Sequence, residues 1–338
     1  MLRIGVIGLG DISKIHVPVI TEHPEAELIA VSDIDEEAYS SLPDIPCYPD
    51  YRTMLQEEKL DCVHICLPHH LHYPATKVAV ERGIHVILEK PLAHTLSDSQ
   101  AIVDLEAANP HVKIAVNLQN RLNETVECLQ ELVQSGTYGD LLSVKGLVAW
   151  HRPKSYYEVK PWRASMETAG GGVMINQSIH TLDLLQWFGG GINTIRGSID
   201  TLLDYGYDVE DTASAYITFE SGATGLFFAT NANGDNSSVE LQLILEKAKF
   251  TIKDSILTIT QVDEEKKILA EDRKLPGSKF YYGASHAKLI NHFYRQIEQD
   301  GDDYIHAKDA YSSMEMIALI NESSRTKQTL SRKVSTNK

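Results

Sequence analysis

The chain has 338 residues, a formal net charge of −16 and a hydrophobic fraction of 43%. This composition is typical of a soluble globular protein and excludes collagen-like, low-complexity and wholly disordered chains. The excess of acidic side chains argues against DNA or RNA as a partner, because those polyanions need clustered Lys and Arg. At roughly 100–200 residues per domain, the length predicts two domains.

The cysteines and the N-terminal residues predict where the protein resides in the cell. The four cysteines form no CxxC pair, which is typical of a reducing environment. Met1–Gly5 runs directly into a strand-like segment without the apolar stretch of a signal peptide, and no run reaches the ~18 apolar residues of a membrane helix. We therefore expect a soluble, cytoplasmic protein with no membrane partner.

Short apolar runs alternate with helical segments in the first 120 residues. The runs are Leu2–Ile7, Glu27–Ser32, Cys62–Leu67, His85–Leu88 and Lys113–Leu118. Uninterrupted apolar strands with helical connections predict a parallel sheet covered on both faces, a doubly wound α/β fold of the Rossmann type. One connecting helix, Ser97–Ala108, is predicted to begin with a capping box, Ser97-x-x-Gln100.

The pattern changes after residue 122. A predicted helix at Asn123–Ser135 is followed by alternating segments joined by turns, which indicate a large, mostly antiparallel open sheet. A helix is predicted over Asn176–Phe188, and two more near residues 287–299 and 307–324. We therefore predict a doubly wound α/β domain at residues 1–122 and an α+β domain at residues 123–338.

A glycine loop follows the first predicted strand. Gly8 and Gly10 allow a tight turn, and Asp11 and Ile12 lead into a helix whose N-terminal N–H groups can bind a pyrophosphate. Asp33 ends the second apolar run, close to the ~20-residue separation of the acidic group that binds a ribose hydroxyl. Its charge would repel a 2′-phosphate, so the pattern favours NAD over NADP.

Two further motifs carry groups that can act as acids or bases. Glu89-Lys90-Pro91 ends a predicted parallel strand, at the sheet edge where α/β proteins bind ligands. Asn176, His180 and Asp183 share one face of the predicted helix, and apolar residues surround them. Burial can tune the pKa of a lysine, and a histidine exchanges protons near neutral pH.

The segment His69-His70-Leu71-His72 has three histidines that could bind a metal ion. It has no cysteine partner and no HExxH pattern. We therefore predict no metal, and we expect this loop to meet the dinucleotide instead.

Together these motifs resemble the Gfo/Idh/MocA family, the group of glucose–fructose oxidoreductase and inositol dehydrogenase. The resemblance runs through the glycine loop and continues in Cys66-Leu67-Pro68-His69-His70-Leu71-His72, Glu89-Lys90-Pro91, Gln119-Asn120-Arg121, Trp150-His151-Arg152, Tyr156-Tyr157, Trp162-Arg163 and Gly170–Asp183. It implies hydride transfer between NAD(P) and a secondary alcohol of a sugar, inositol or sugar derivative. Residues 1–122 would be the NAD-binding domain, and residues 123–338 would bind substrate and form a homodimer or homotetramer through their sheet.

The resemblance also implies residue roles. Lys90 and His180 correspond to the catalytic lysine and the general acid/base, with Asn176 beside them. The dinucleotide would contact Lys90 and eight other residues, namely Leu67, Pro68, His69, His72, Glu89, Gln119, Trp162 and Arg163. Substrate would meet Lys90, Arg121, Tyr156, Asn176, His180 and Asp183.

Three positions depart from the family pattern. Asn176 stands where Asp is frequent, so this residue is expected to position substrate rather than to transfer protons. Leu67 replaces a frequent Thr, and His69 a frequent Asn. Two other functions remain open: NAD-dependent glycoside cleavage at the same site, and a non-catalytic dinucleotide sensor, against which the presence of both Lys90 and His180 argues.

Overall fold

The computed structural model describes residues 1–273 and 284–332, and within these ranges the chain divides into two compact units. The first unit holds residues 1–119 and 284–311, and the second holds residues 120–273 and 312–332.

This division differs from the predicted domains. The first unit ends at Gln119 rather than near residue 122, and residues 284–311 return to it from the C-terminal part of the chain. Residues 274–283 and 333–338 of the predicted second domain lie outside the described residues.

The N-terminal part of the first unit alternates strands and helices. Its strands are β1 (Leu2–Ile7), β2 (Ala26–Ser32), β3 (Cys47–Tyr48), β4 (Cys62–Ile65), β5 (His85–Leu88) and β6 (Ile114–Val116). Its helices are α1 (Ser13–Glu22), α2 (Tyr51–Glu57), α3 (His72–Val80) and α4 (Leu96–Ala108). The strands form one parallel sheet in the order β3-β2-β1-β4-β5-β6. The predicted Rossmann-type fold is confirmed.

The sheet order reverses between β1 and β4. Connections leave these two strands in opposite directions, so a crevice opens at their carboxyl ends, where open α/β sheets bind ligands. The loops after β1, β4 and β5 therefore lie at the functional edge of this unit.

The capping box predicted for α4 is wrong. The helix begins at Leu96, and the Thr95 hydroxyl accepts the Asp98 N–H at 3.0 Å. Thr95 has the extended backbone that an N-cap needs, and Ser97 therefore falls inside the first turn of the helix.

The second unit contains a larger sheet. Its strands are β7 (Leu141–Ala149), β8 (Ile192–Asp200), β9 (Thr212–Phe219), β10 (Thr224–Thr230), β11 (Glu240–Leu245), β12 (Lys249–Lys253), β13 (Ile256–Thr260) and β14 (Lys267–Glu271). Its helices are α5 (Glu124–Gln134), α6 (Lys154–Glu158), α7 (Met166–Ala169) and α8 (Ile179–Gly189).

The last described elements are α9 (Ser285–Glu298), α10 (Ala307–Thr326) and β15 (Leu330–Ser331). With β15, the described residues give the larger sheet nine strands in the order β14-β13-β12-β11-β7-β10-β9-β8-β15. Its named pairs are antiparallel except β7 with β10, so the predicted mostly antiparallel sheet is confirmed. Among the described residues, no helix is long and apolar enough to span a membrane.

Helix α9 completes the core of the first unit. Its Ile290, Phe293 and Tyr294 are buried in the same apolar cluster as Ile4 and Ile20. Its place in the sequence predicts that this helix belongs to the second domain. It returns to the first unit because its apolar face is buried in the core there.

The same helix buries a histidine. His286 is 1% exposed, and its ring centroid lies 6.3 Å from that of His16 in α1. Burial lowers the pKa of His286 to about 4, and the nearby Glu89 charge only partly opposes this effect.

Stability should therefore fall as the pH drops from 6.5 towards 4. The folded-state pKa of His286 lies below that of the unfolded chain, so the unfolded chain binds the proton first and gains stability in this window. Between pH 6.5 and 5, we expect the wild type to lose about 1–2 kcal/mol more free energy of unfolding than His286→Leu loses. Urea unfolding followed by circular dichroism measures it. His111→Leu, at an exposed position, is the control, and an unchanged pH dependence in His286→Leu would contradict the prediction.

Candidate active site

The glycine loop packs closely against the chain after β4. Gly8 has φ +93°, and a Cβ at this position would lie 2.6 Å from the Cys66 carbonyl oxygen. Helix α1 then begins at Ser13, and the preceding Ile12 offers no side-chain cap to its first N–H groups. The N-terminus of α1 can therefore offer backbone donors to an anionic group.

Asp33 lies directly beside this loop. Its Oδ2 accepts the Leu9 N–H at 2.5 Å, and its Oδ1 accepts the Asp35 N–H at 2.9 Å. The half-buried carboxylate directly follows β2. It fixes the glycine loop and presents a negative charge at the same edge, which suits a ribose hydroxyl and disfavours a phosphate.

The histidine loop after β4 is tied to the end of β5. The ring nitrogens of His72 lie 2.7 Å from the Pro91 carbonyl oxygen and 2.9 Å from that of Leu67. His69 and His72 are both buried, while Leu67 and Pro68 are partly exposed. His72 therefore fixes the backbone of the loop, and Leu67 and Pro68 offer its surface.

Glu89 is a buried carboxylate behind Lys90. Its Oε1 accepts from His16 Nε2 at 2.8 Å and from the side-chain amide of Asn117, and its Oε2 accepts the backbone N–H of Lys90 at 3.2 Å. Burial raises the pKa of Glu89, but the hydrogen bond and charge of His16 outweigh it and hold the pKa well below its usual value. The charged Glu89 thus fixes the backbone that presents Lys90, which is partly exposed. Gln119 is buried just after β6.

In the second unit, Glu210 holds the triple-glycine segment. Its carboxylate oxygens accept the N–H groups of Gly172 at 2.8 Å and Met174 at 3.0 Å. Its backbone carbonyl oxygen accepts the N–H group of Val173 at 2.9 Å. A Cβ at Gly172 would lie 1.8 Å from that carbonyl oxygen. Glycine is therefore required for this close approach.

The predicted helix over 176–188 is wrong at its start. Residues Val173–Gln177 form a π-helical turn, Ser178 breaks the helix, and α8 begins at Ile179. Asn176 and His180 are partly exposed, whereas the three residues between them are buried. The turn thus presents these two side chains from an otherwise buried segment, and π-turns are frequent at functional sites.

Asp183 and Arg121 bind each other. The Arg121 guanidinium donates to both carboxylate oxygens of Asp183, at 2.8 and 2.6 Å. Asp183 is 1% exposed and Arg121 is 8% exposed. Arg121 also lies over the Trp187 ring, 5.1 Å from its centroid. A buried bidentate pair of this kind restrains both chains firmly, so it anchors α8 to the segment before α5.

Tyr156 is brought next to the π-turn. Its hydroxyl accepts from Gln177 Nε2 at 3.0 Å, and the Arg163 guanidinium lies 4.3 Å from its ring centroid. Arg163 also contacts the Trp162 ring at 5.6 Å. Within this unit, Tyr156, Trp162, Arg163 and Gln177 therefore form one neighbourhood.

Sequence reasoning missed His16, Asn117 and Glu210. His16 shares the buried face of α1 with Ser13 and Ile20, and a histidine at such a position was the available signal. Nothing in the spacing pointed to Asn117 or Glu210, because their partners lie far away in the chain.

Comparison with known proteins agrees with this geometry. Residues 2–118 match the model of an oxidoreductase family with an NAD-binding Rossmann fold, and residues 126–251 match the Gfo/Idh/MocA C-terminal domain. The WlbA dehydrogenase of Bordetella pertussis, solved with NADH and UDP-GlcNAcA, has a TM-score of 0.84 and 25% identity, with 98% of each chain covered.

Two curated relatives are dehydrogenases. The myo-inositol 2-dehydrogenase of Thermotoga maritima is 24% identical over 292 residues, which cover 83% of this chain and 82% of that protein. The 1-carboxy-3-chloro-3,4-dihydroxycyclohexa-1,5-diene dehydrogenase of Comamonas testosteroni is 26% identical over 228 residues, 65% of this chain and only 56% of the relative. Because the family models match both halves of the chain, it belongs to the Gfo/Idh/MocA family of NAD-binding oxidoreductases.

Proposed function

We propose that this oxidoreductase transfers hydride between NAD and a secondary alcohol of a polyhydroxylated ring, namely a sugar, an inositol or a sugar derivative. The observation that carries the proposal is Lys90, held by the charged Glu89 at the carboxyl end of β5 in the NAD-binding unit. The inositol and sugar-nucleotide chemistry of the relatives supports this substrate class.

The residues of the first unit fit NAD. The uncapped N-terminus of α1 suits a pyrophosphate, and the charge of Asp33 suits a ribose hydroxyl. When bound, the dinucleotide supplies the hydride acceptor. We assign its binding to Gly8, Gly10, Asp11, Ile12, Asp33, Leu67, Pro68, His69, Lys90, Gln119, Trp162 and Arg163. The buried His72 and Glu89, whose polar atoms bind the protein itself, act by holding the loops around Leu67 and Lys90. NADP is disfavoured by the Asp33 charge.

Proton chemistry is assigned to three side chains. Lys90 hydrogen-bonds the reacting hydroxyl oxygen and stabilises negative charge as it develops there. His180 accepts the hydroxyl proton. Asn176 can donate and accept hydrogen bonds but cannot ionise, so it positions the substrate without transferring a proton.

Substrate contact is assigned to Tyr156, beside the π-turn that carries Asn176. Arg121 and Asp183, which the sequence assigned to the substrate, neutralise each other in a buried pair. We propose that they act by holding α8, and through it His180, rather than by binding a polar group of the substrate.

Removing Lys90 or His180 should abolish turnover but preserve dinucleotide binding. For Lys90→Ala and His180→Ala we expect kcat to fall about 10²–10⁴-fold, with the NADH dissociation constant unchanged by fluorescence titration. A panel of myo-inositol, D-glucose, D-glucuronate and UDP-N-acetylglucosamine is followed at the NADH absorbance. Lys77→Ala and His111→Ala, on partly or fully exposed positions of the first unit, are controls.

The same assay separates the alternatives. Cleavage of a p-nitrophenyl glucoside without net NADH would indicate a glycoside hydrolase. Tight NADH binding with no turnover on any substrate would indicate a sensor. Near-normal turnover in both variants would refute the assigned roles.

Asp33 should control cofactor choice. We expect Asp33→Ala to weaken NAD binding about 10–100-fold, the cost of losing a charged hydrogen-bond partner, and to reduce the preference for NAD over NADP. Asp33→Asn separates the two effects, because its amide oxygen can still accept the Leu9 N–H while the charge is gone. Glu36→Ala, at an exposed neighbouring position, is the control. An unchanged NAD-to-NADP ratio of dissociation constants in both Asp33 variants would remove Asp33 from this role.

We propose further that two copies associate through the outer face of the nine-stranded sheet. Gly146 of β7 points towards α8, so its neighbours Lys145 and Leu147 point the other way. They pair with Leu226 and Phe228 of β10, which are 52% and 39% exposed. Tyr216, opposite Leu226, is 48% exposed. An apolar patch of this kind on a sheet face is typical of an interface.

The oligomer is tested by sedimentation velocity. We expect the wild type to be a dimer or tetramer and the double variant Leu226→Glu, Phe228→Lys to dissociate to monomers, because buried charges oppose association. Val262→Lys, a substitution of an equally apolar residue that is 82% exposed in a turn, is the control. A wild-type monomer, or an unchanged oligomer in the double variant, contradicts the proposal.

A cytoplasmic location is proposed from the cysteines. Cys47, Cys62, Cys66 and Cys128 are all free thiols, the state expected in a reducing compartment. We also propose that neither nucleic acid nor a membrane is a partner, in keeping with the net charge of −16.

A further inference from the structure

Arg152 is one of three buried Lys and Arg side chains in the described part of the chain. The other two have acidic partners, since Arg121 binds Asp183 and Lys113 binds Asp300. Arg152 is 8% exposed, and no carboxylate of the described residues lies within ion-pair distance of its guanidinium. A buried charge without a counter-charge is costly, so Arg152 is the exception among these cations.

The guanidinium of Arg152 is fixed on one side and open on the other. Its Nη1 atom donates to the His151 carbonyl oxygen at 2.8 Å and to Asn236 Oδ1 at 2.9 Å. Its central carbon lies 4.7 Å from the Trp150 ring centroid and 5.4 Å from that of Tyr156. The Nε and Nη2 atoms have no acceptor among the described residues, and neither is closed off from solvent. These two nitrogens can therefore donate to a ligand.

This open edge of Arg152 has the geometry that binds a carboxylate or a phosphate. Arg121 uses its own Nε and Nη2 atoms to bind the two oxygens of Asp183, at 2.8 and 2.6 Å. The same two atoms are the unused ones in Arg152. Their parallel N–H groups match paired anionic oxygens, so the edge is suited to an anion that comes from outside the chain.

Hydrogen bonds tie Arg152 to the π-turn that presents Asn176. The Arg152 N–H donates to the Asn231 carbonyl oxygen at 3.0 Å, and Asn231 Nδ2 donates to Gln177 Oε1 at 2.9 Å. Gln177 Nε2 donates in turn to the Tyr156 hydroxyl at 3.0 Å, and the Tyr156 ring lies beside Arg152. Gln177 follows Asn176 directly in the turn. One closed network within the second unit therefore holds the open edge of Arg152 next to residues assigned to the substrate.

The chain around Arg152 is basic although the protein is acidic. Residues 152–163 contain four basic side chains and one acidic side chain, whereas the whole chain has a net charge of −16. The Arg163 guanidinium also contacts the Tyr156 ring, 4.3 Å from its centroid. Two guanidinium groups therefore share one tyrosine ring, and the positive potential that they produce favours an anion beside it.

We propose that Arg152 binds an anionic group of the substrate, a carboxylate or a phosphate, so that the enzyme prefers an acidic sugar derivative to a neutral sugar. This inference rests on the proposed function, because it names the substrate class of the same site. The anion is a substituent of the ring and not the reacting hydroxyl, so Arg152 strengthens binding of the ground state and the transition state alike. A merely structural role, in which the guanidinium covers Trp150 and Tyr156, gives no preference for acidic substrates.

Matched sets of substrates test the preference of the wild type. D-Glucose is compared with D-glucuronate and D-glucose 6-phosphate, D-galactose with D-galacturonate, and myo-inositol with myo-inositol 1-phosphate. NADH formation gives kcat/KM, and isothermal titration calorimetry of the NADH-loaded protein gives Kd without turnover. We expect an acidic member to be favoured over its neutral counterpart by at least about 10-fold, and the uronates and phosphates show which anion is bound. Equal or better binding of the neutral member in every set, or no binding of any acidic member, overturns the inference.

Arg152→Gln tests the residue itself. We expect it to raise KM and Kd for the favoured acidic substrate about 10–100-fold, as for loss of a charged hydrogen-bonded pair, while kcat changes less than about 3-fold. Arg152→Lys keeps the charge but loses the paired donors, so we expect an intermediate loss. Arg196→Gln is the matched control, because it removes the same charge from an exposed position of β8. An unchanged acidic-to-neutral ratio in Arg152→Gln overturns the inference, and Arg152→Lys decides it if Arg152→Gln is unfolded by circular dichroism.

The outcomes separate this inference from the proposed function. Acidic sugars that bind through Arg152 without hydride transfer would refute the proposed function and leave the anion site standing. Turnover that depends on Lys90 and His180 but shows no preference for acidic substrates would do the reverse. Weaker NADH binding in Arg152→Gln, measured by fluorescence titration, with an unchanged acidic-to-neutral ratio would overturn the inference, because the anion would then belong to the dinucleotide.

Discussion

The first unit depends on one buried charge. Glu89 is 4% exposed and stays ionised, which is tolerable only because hydrogen bonds replace the water it has lost. Those bonds come from α1 through His16, from the segment after β6 through Asn117, and from the backbone of Lys90. The carboxylate therefore determines how three parts of the sheet edge meet, and Lys90 is placed as a consequence.

The second unit uses a buried carboxylate in a similar way. Glu210 is 6% exposed, and burial raises its pKa while two backbone N–H groups oppose that effect. It holds the start of the π-turn, and the Arg121–Asp183 pair holds α8 beyond it. Asn176 and His180 lie between these two restraints. In each unit, the side chains assigned to chemistry are thus positioned by charged groups that are themselves hidden from solvent.

Local patterns predicted much of both units. The parallel strands, the glycine loop, Asp33 and the alternating strands of the larger sheet follow from short-range spacing and apolar periodicity, and the structure has all of them. Errors came where one local signal competed with another. Ser97 lost the N-cap position to Thr95. The helix expected from Asn176 begins only at Ile179, after a π-turn whose start is held by the distant Glu210.

By itself, the sequence determined the order of strands and helices, the two fold classes and the motifs that carry the family resemblance, since these depend on residues close together in the chain. Tertiary structure alone decided that α9 returns to the first unit, that Arg121 binds Asp183, and that His16, His64 and Tyr294 form one hydrogen-bonded chain. The physical reason is that a buried polar group must find its partner wherever packing brings one. Spacing along the chain carries no record of that choice.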